Sequence, residues 1–319
     1  HGRRPITPYI FIILTQIRIT MKRILKWIGI IVFSLVTVLL LVSWVLSRSF
    51  LKEFDKVYKV DVASINIPSD SASLERGRQL SVSCRNCHDV DLAGKVFFDD
   101  PTIGVLPSSN LTRAEGSETE GYTDLDFIRA LRHGLNKKGN ALMVMPSDSY
   151  SHLSDEDLGC LIAYVKILPA IERKFAPRKF NYTAQVMAGA GLFGELFPYN
   201  MIDHAKINKV VAPPMADTQE YGHYVAKFGG CFTCHGQNLG GGKSPDPVSP
   251  PVPNISKSGN TGKWSREQFK QIFRTGVTPE GKMLDGKFMP FAGIGALNDV
   301  EIEALFTYIQ SLPPTESAK

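Results

Sequence analysis

The chain reads as a mainly α-helical protein in which two tandem copies of one small domain follow an N-terminal apolar helix. Three observations lead to that reading. The pattern Cys-x-x-Cys-His occurs twice, at residues 84–88 and 231–235. The landmarks around the first copy recur around the second at a separation of about 145 residues. An uncharged run from Trp27 to Ser47 precedes both.

The apolar helix comes first in the chain. Residues 1–20 contain no Met and the sequence opens with His1, so residues 1–20 read as an upstream, non-native extension with translation starting at Met21. Lys22, Arg23 and Lys26 then lead into the uncharged run. As a helix that run is ~32 Å long, against a hydrocarbon core of ~30 Å. Residues 21–50 are therefore read as a single transmembrane anchor. The alternative is a cleaved signal peptide, whose apolar region is usually only ~7–15 residues; Ser47-Arg48-Ser49 supplies a small-x-small site for it. Flanking basic residues do not fix the orientation, because both sides carry them. Residues 51–71 read as an extended stalk.

Charge and cysteine usage narrow the class. The net charge is +5, but residues 1–61 carry +7 and the remainder −2. The basic balance belongs to the N-terminal arm and gives no argument for nucleic-acid binding. Of five cysteines, four lie in the two motifs and only Cys160 remains, so no disulfide framework is implied. Cys160 falls on the apolar side of a helix, opposite Ala304 in the repeat, and reads as a buried small hydrophobe.

Each copy reads as three helices joined by Gly- and Pro-rich loops such as 240–253. The first helix leads into the motif, with Gly77 answering Gly222. The second spans Asp124–His133 or Ser265–Thr275, each followed by a glycine as C-cap. The third starts behind Ser154 or Asn298, N-caps with an acidic residue three positions on, and stops at Pro169 or Pro313. Leu92-Ala93-Gly94 answers Leu239-Gly240-Gly241, and Asn110-Leu111-Thr112 answers Asn254-Ile255-Ser256. The copies are bounded at 72–172 and 218–315. Residues 173–217 form an inter-domain linker whose apolar stretch from Ala184 to Pro198 suits a helix packing across both domains, with a membrane or partner contact as the sharper reading.

The motifs carry the chemistry. Cys-x-x-Cys-His is the attachment site of a c-type haem. Two thiols about one helical turn apart each form a thioether to one porphyrin vinyl group, and the following His places an imidazole under the iron. Cys84, Cys87 and His88 serve one haem; Cys231, Cys234 and His235 serve a second, so two covalently bound haem c groups are expected. The sixth ligands are Met145 and Met289, each followed by Pro and each matched by the repeat. A thioether favours ferrous iron, so His/Met ligation raises the potential. Met143 and Met283 do not align with each other and precede no Pro. His133, His152, His204 and His223 have no repeat partner and read as structural or surface residues. Zinc does not suit the cysteine pairs, because each has its own His and lies in a separate copy.

These residues resemble a known family. Cys84–His88, Asn110-Leu111-Thr112, the stretch from Arg129 to Gly134, Met145-Pro146 and the stretch from Leu153 to Leu158 are similar to the cytochrome c subunits of membrane-bound bacterial alcohol and sugar dehydrogenases, and to related membrane-anchored dihaem cytochromes c. Ile202-Asp203-His204 and Gly222-His223-Tyr224 share the likeness, which covers about residues 65–314. It implies two class I-like cytochrome c domains. It also implies that the bulk of the chain is periplasmic, at the bacterial inner membrane, because covalent haem attachment happens outside the cytoplasm. This chain carries two haem motifs where those subunits commonly carry three.

The function expected is electron relay in a respiratory chain, from a periplasmic dehydrogenase or quinol-oxidising complex to a terminal oxidase or soluble cytochrome, without catalysis by the chain itself. The alternative is a dihaem peroxidase or thiosulfate-oxidising cytochrome, which needs a displaceable axial ligand. A third reading is a subunit that mainly anchors a partner.

Overall fold

The computed structural model describes residues 8–244 and 249–316. Residues 1–7, the opening of the expected extension, and 245–248, inside the loop at 240–253, lie outside the described residues.

Helix α1, Pro8–Phe54, contains the whole apolar run and continues on both sides of it. It is long and apolar enough to cross a membrane, and its side chains from Ile12 to Val45 are almost all exposed. In the first repeat α2 (Ser71–Leu80) leads through a short 3-10 turn, Ser81–Cys84, into α3 (Arg85–His88). A hairpin of β1 (Val96–Asp100) and β2 (Gly104–Pro107) follows, then α4 (Asp124–His133), α5 (Ser147–Tyr150) and α6 (Asp155–Ile167). The segment between the repeats contributes β3 (Lys179–Phe180) and α7 (Tyr182–Gly189). The second repeat holds α8 (Gln219–Phe228), α9 (Cys231–His235), α10 (Arg266–Thr275), α11 (Phe291–Gly295) and α12 (Asp299–Ser311).

The local signals act as their chemistry requires. The Ser154 hydroxyl accepts from the Asp157 amide at 3.1 Å, and the Asn298 side chain accepts from the Glu301 amide at 3.0 Å. Gly134 and Gly276 close α4 and α10 in the left-handed region, at φ 65° and 74°. Gly77 and Gly222 do more than mark the repeat. A Cβ on Gly77 would stand 2.0 Å from the Cys160 carbonyl oxygen, and one on Gly222 would stand 1.9 Å from that of Ala304. The first and last helices of each copy therefore cross backbone to backbone, α2 on α6 and α8 on α12. Cys160 is 3 % exposed and lies at that crossing.

The two copies share one core. Leu80, Phe127, Leu158 and Ile162 of the first and Val225, Phe273, Ile302 and Leu305 of the second belong to a single apolar cluster. At its centre is a polar knot. Arg76 on α2 makes paired bonds of 2.7–3.0 Å to Asp157 on α6 and of 2.8–2.9 Å to Glu301 on α12. Tyr224 of α8 donates to Asp157 at 2.7 Å and accepts from the Ser154 amide at 2.9 Å; Tyr221 donates to Glu301 at 3.1 Å. Both tyrosine pKa values rise, first from burial and then from the adjacent carboxylates. Both hydroxyls thus stay protonated as donors.

Two expectations need correction. Residues 51–71 are not a free extended stalk. The helix runs on to Phe54, because Phe50 and Phe54 pack edge-on against Phe180, and Phe50 also meets Phe197. The chain beyond is extended but lies on the first domain. The Tyr58 amide donates to the Gly139 carbonyl at 2.8 Å, and Val62, Ile65 and Ile67 pack on the core. Nor does the segment 173–217 bridge both domains with its helix. It straps the first domain to the end of α1: Arg173 pairs with Asp89 and Asp91, β3 pairs with β2, and α7 lies along that helix end. The small sheet arises there, among residues read only as loops.

Gly222→Ala should destabilise the protein by about 1–3 kcal/mol or more, because the added methyl meets backbone rather than a side chain that can yield. Arg76→Leu should cost about 3–5 kcal/mol, since it leaves the fully buried Glu301 carboxylate without its cation. Denaturant unfolding of the full chain in detergent measures both, and an unchanged midpoint for either contradicts the packing described.

Candidate haem sites

The second motif forms one short helix, α9; in the first, Cys84 closes the 3-10 turn and Cys87 and His88 lie on α3, so in both copies the two thiols are about one turn apart. All four motif cysteines are free of disulfides. Burial pushes the Cys84 thiol up to about 11 and the Cys231 thiol up to about 12. Both of these thiols are therefore un-ionised near pH 7.

The histidines are oriented for a metal. His88 Nδ1 lies 2.7 Å from the Ser109 carbonyl oxygen, and His235 Nδ1 lies 2.9 Å from that of Pro253. A carbonyl only accepts, so each Nδ1 carries the proton and each Nε2 keeps its lone pair. Burial lowers both imidazole pKa values, which holds the rings neutral near pH 7.

The repeated loop landmarks build the wall that carries those carbonyls. The Gly94 amide donates to the His88 carbonyl at 2.8 Å, and Gly241 to that of His235 at 2.9 Å. Leu92 and Leu239 sit in the left-handed region at φ 60° and 54°, fully buried, and their carbonyls receive the amides of Leu111 and Ile255. Asn110 and Asn254 tie the same wall to the chain after the last helix, each side-chain amide donating at 2.8 Å to the carbonyl of Ile171 or Thr315.

Met145 and Met289 occupy matched turns. Pro146 has φ −75° and ψ 57°, Pro290 −74° and 60°, and the next amide donates 2.7 Å back to the Met carbonyl in both cases. This is an inverse γ-turn, a rigid mount. Both methionines pack against the shared core that contains Cys84. Met283 is 65 % exposed, and Met143 packs in a separate cluster near the end of α1.

Each methionine loop also leans on the motif of the other copy. Thr233, inside the second motif, donates to Asp148 of the first loop at 2.8 Å and lies 3.4 Å from the Ser149 hydroxyl. Reciprocally, α11 packs on the turn Ser81–Cys84. A Cβ on Gly293 would stand 3.0 Å from that of Ser83, and one on Gly230 would stand 3.1 Å from the Ser149 hydroxyl. Ser83 and Gly230 are repeat partners, as are Ser149 and Gly293, so the two contacts are one contact related by an approximate twofold.

The donors present fit a c-type haem in both copies: paired unoxidised thiols, an imidazole with a free Nε2, and a thioether on a rigid loop. The family model for cytochrome c matches residues 74–169, and that for cytochrome c oxidase, cbb3-type, subunit III matches residues 218–309. The chain carries two cytochrome c domains. Such domains hold haem c covalently. Over 277 residues the chain is 26 % identical to the fructose dehydrogenase cytochrome subunit of Gluconobacter japonicus, which covers 76 % of this chain and 53 % of that protein. It is 24 % identical to the cytochrome c subunit of the alcohol dehydrogenase (quinone) of Gluconobacter oxydans, over 79 % of this chain and 57 % of that one. It is also 24 % identical to a dihaem c-type cytochrome of Cereibacter sphaeroides, over 61 % and 68 %. The chain thus spans about half the length of the dehydrogenase subunits it matches.

Several residues at or near the sites escaped the sequence reading. Asp148, Thr233 and the Arg76 knot act between copies, where repeat alignment gives no signal. His133 and His204 form a stacked pair with their Nδ1 atoms 3.1 Å apart, and His204 Nε2 donates to the Tyr199 carbonyl at 3.1 Å. Their common place in the family likeness was the available hint. His133 is fully buried. Burial, then the neighbouring His204, lower its pKa to about 4. The folded state therefore refuses a proton that the unfolded chain accepts near pH 6.5. Stability contributed by this group is present above about pH 6.5 and is lost as pH falls toward 4. His133→Phe should flatten that part of the stability–pH profile, measured by thermal unfolding; an unchanged slope contradicts the assignment.

Proposed function

We propose that this chain is a membrane-anchored dihaem cytochrome c that relays electrons from a periplasmic dehydrogenase or quinol-oxidising complex toward a terminal oxidase or soluble cytochrome. The observation that carries this reading is the reciprocal seating of each methionine loop on the other domain's haem motif. That seating brings both motif helices to one seam of a single packed body, which supports transfer between the groups they would hold.

In this reading Cys84, Cys87, His88 and Met145 hold one haem c, and Cys231, Cys234, His235 and Met289 hold the other. Bound haem supplies a reversible one-electron iron couple. The residues do the rest. The Ser109 and Pro253 carbonyls fix the imidazole tautomers and ring planes. Pro146 and Pro290 would hold the thioethers in place, which would limit rearrangement of the donor set. Helix α1 anchors the protein in the inner membrane, with both domains in the periplasm. Two of the relatives are named as cytochrome subunits of dehydrogenases and one as a dihaem cytochrome, which supports a dehydrogenase as the donor. A contact with such a redox partner would be small and transient.

Met145→Leu in the full holo-protein should open one iron to carbon monoxide while the other stays closed, and Met289→Leu should open the other. Met143→Leu should open neither. Carbon monoxide binding by both ferrous irons of the unsubstituted protein would favour the peroxidase-like alternative. Gly293→Val should pry the seam apart at Ser83, slowing electron equilibration between the haems while both remain six-coordinate. Flash-induced reduction followed by absorbance reads this, and unchanged equilibration would contradict transfer across the seam.

A further inference from the structure

The end of α1 does not leave the membrane alone. Trp27 and Trp44 stand 17 residues apart on the exposed helix, ~26 Å along its axis, close to the ~30 Å of a hydrocarbon core. Trp and Tyr collect at the two membrane–water boundaries, so Trp44 marks the outer one. Helix α7 docks at that level. The Tyr182 hydroxyl lies 2.9 Å from the Ser43 hydroxyl, and Ser47 donates to Gln185 at 2.7 Å. Gly189 presses so closely that a Cβ there would stand 2.1 Å from the Leu46 carbonyl oxygen. Ser43 to Ser47 is the last turn of the uncharged run, so α7 lies at headgroup depth.

The surface around α7 suits that depth. Tyr182, Leu192 and Met201 are each more than half exposed. Arg48, Lys52, Arg178 and Lys179 are exposed around the same helix end, with Arg178 over the Phe54 ring at 4.9 Å and Arg48 over Trp44 at 5.9 Å. Two of the acidic side chains nearby are already engaged, Glu53 by Tyr58 and Lys56 and Glu195 by the Phe197 amide and Asn200, which leaves exposed Asp55 against four basic residues.

We propose that residues 178–201 form a second membrane contact, in which Tyr182 and Leu192 enter the headgroup layer beside α1 while Arg178 and Lys179 meet lipid phosphates. The first domain is then mounted on the bilayer, not tethered above it. This rests on α1 spanning the membrane. The occupant is the same bilayer that α1 crosses, because α7 packs on that helix where it emerges. A mounted domain holds its haem at a fixed height, within reach of a partner seated on the same membrane.

The test uses the full holo-protein in nanodiscs of phosphatidylcholine with phosphatidylglycerol. A nitroxide is placed at Leu192→Cys, at Val36→Cys within α1, or at Met283→Cys on the second domain. Haem consumes the four motif thiols and Cys160 is buried. The label at 192 should show severalfold greater access to oxygen, relative to a water-soluble nickel chelate, than the label at 283. The label at 36 should lie deeper than both. Arg178→Ala combined with Lys179→Ala should raise nickel access at 192, and no change would overturn the phosphate contact. If position 192 matches 283 while 36 reports the bilayer interior, the second contact is refuted and the anchor stands. If 36 is also water-exposed, the anchor and the proposal fail together.

Discussion

One guanidinium holds this molecule together. Arg76 grips a carboxylate from each domain, and both carboxylates sit three residues past the N-caps of the final helices. Two buried anions and one cation are tolerable only because two tyrosines and the amides of Ser154 and Asn298 complete the hydrogen bonds; a partly satisfied knot would be worse than an apolar one. The knot fixes how the domains face each other, and that orientation sets each methionine loop against the opposite motif. Without it there would be two cytochrome domains on a string.

Much of the fold was legible because its parts are local. The helix bounds follow from Ser154, Asn298, Gly134 and Gly276, whose chemistry acts within one turn. The Cys-x-x-Cys-His motifs point to covalent haem by their own spacing. Gly77 and Gly222 were visible as repeat markers, though not as points where backbones touch; a lone glycine in a helix does not say what approaches it. The relation between copies was hidden. Arg76 has no charged counterpart in the second copy, where Tyr221 stands, and Asp148 answers Ala292, so comparing the copies discards the residues that join them. The strap at 173–217 was equally opaque, because its partners Phe50, Asp89 and His133 come from three distant segments.

The same strap changes how α1 is joined to the first domain. A stalk would let the haem domains sample a range of heights and angles. With Tyr58 bonded at Gly139, Phe50 and Phe54 packed on Phe180, and Ser47 bonded to Gln185, the end of α1 is part of the first domain. Packing is thereby continuous from the end of α1 to the turn that carries Met145.

Everything about the relay depends on two haems, each bound covalently where the sequence places it. Mass spectrometry of the mature protein, intact and after proteolysis, tests that directly. The account predicts two haem adducts, one on the peptide with Cys84 and Cys87 and one on that with Cys231 and Cys234. A mature chain with free thiols in either motif would contradict it.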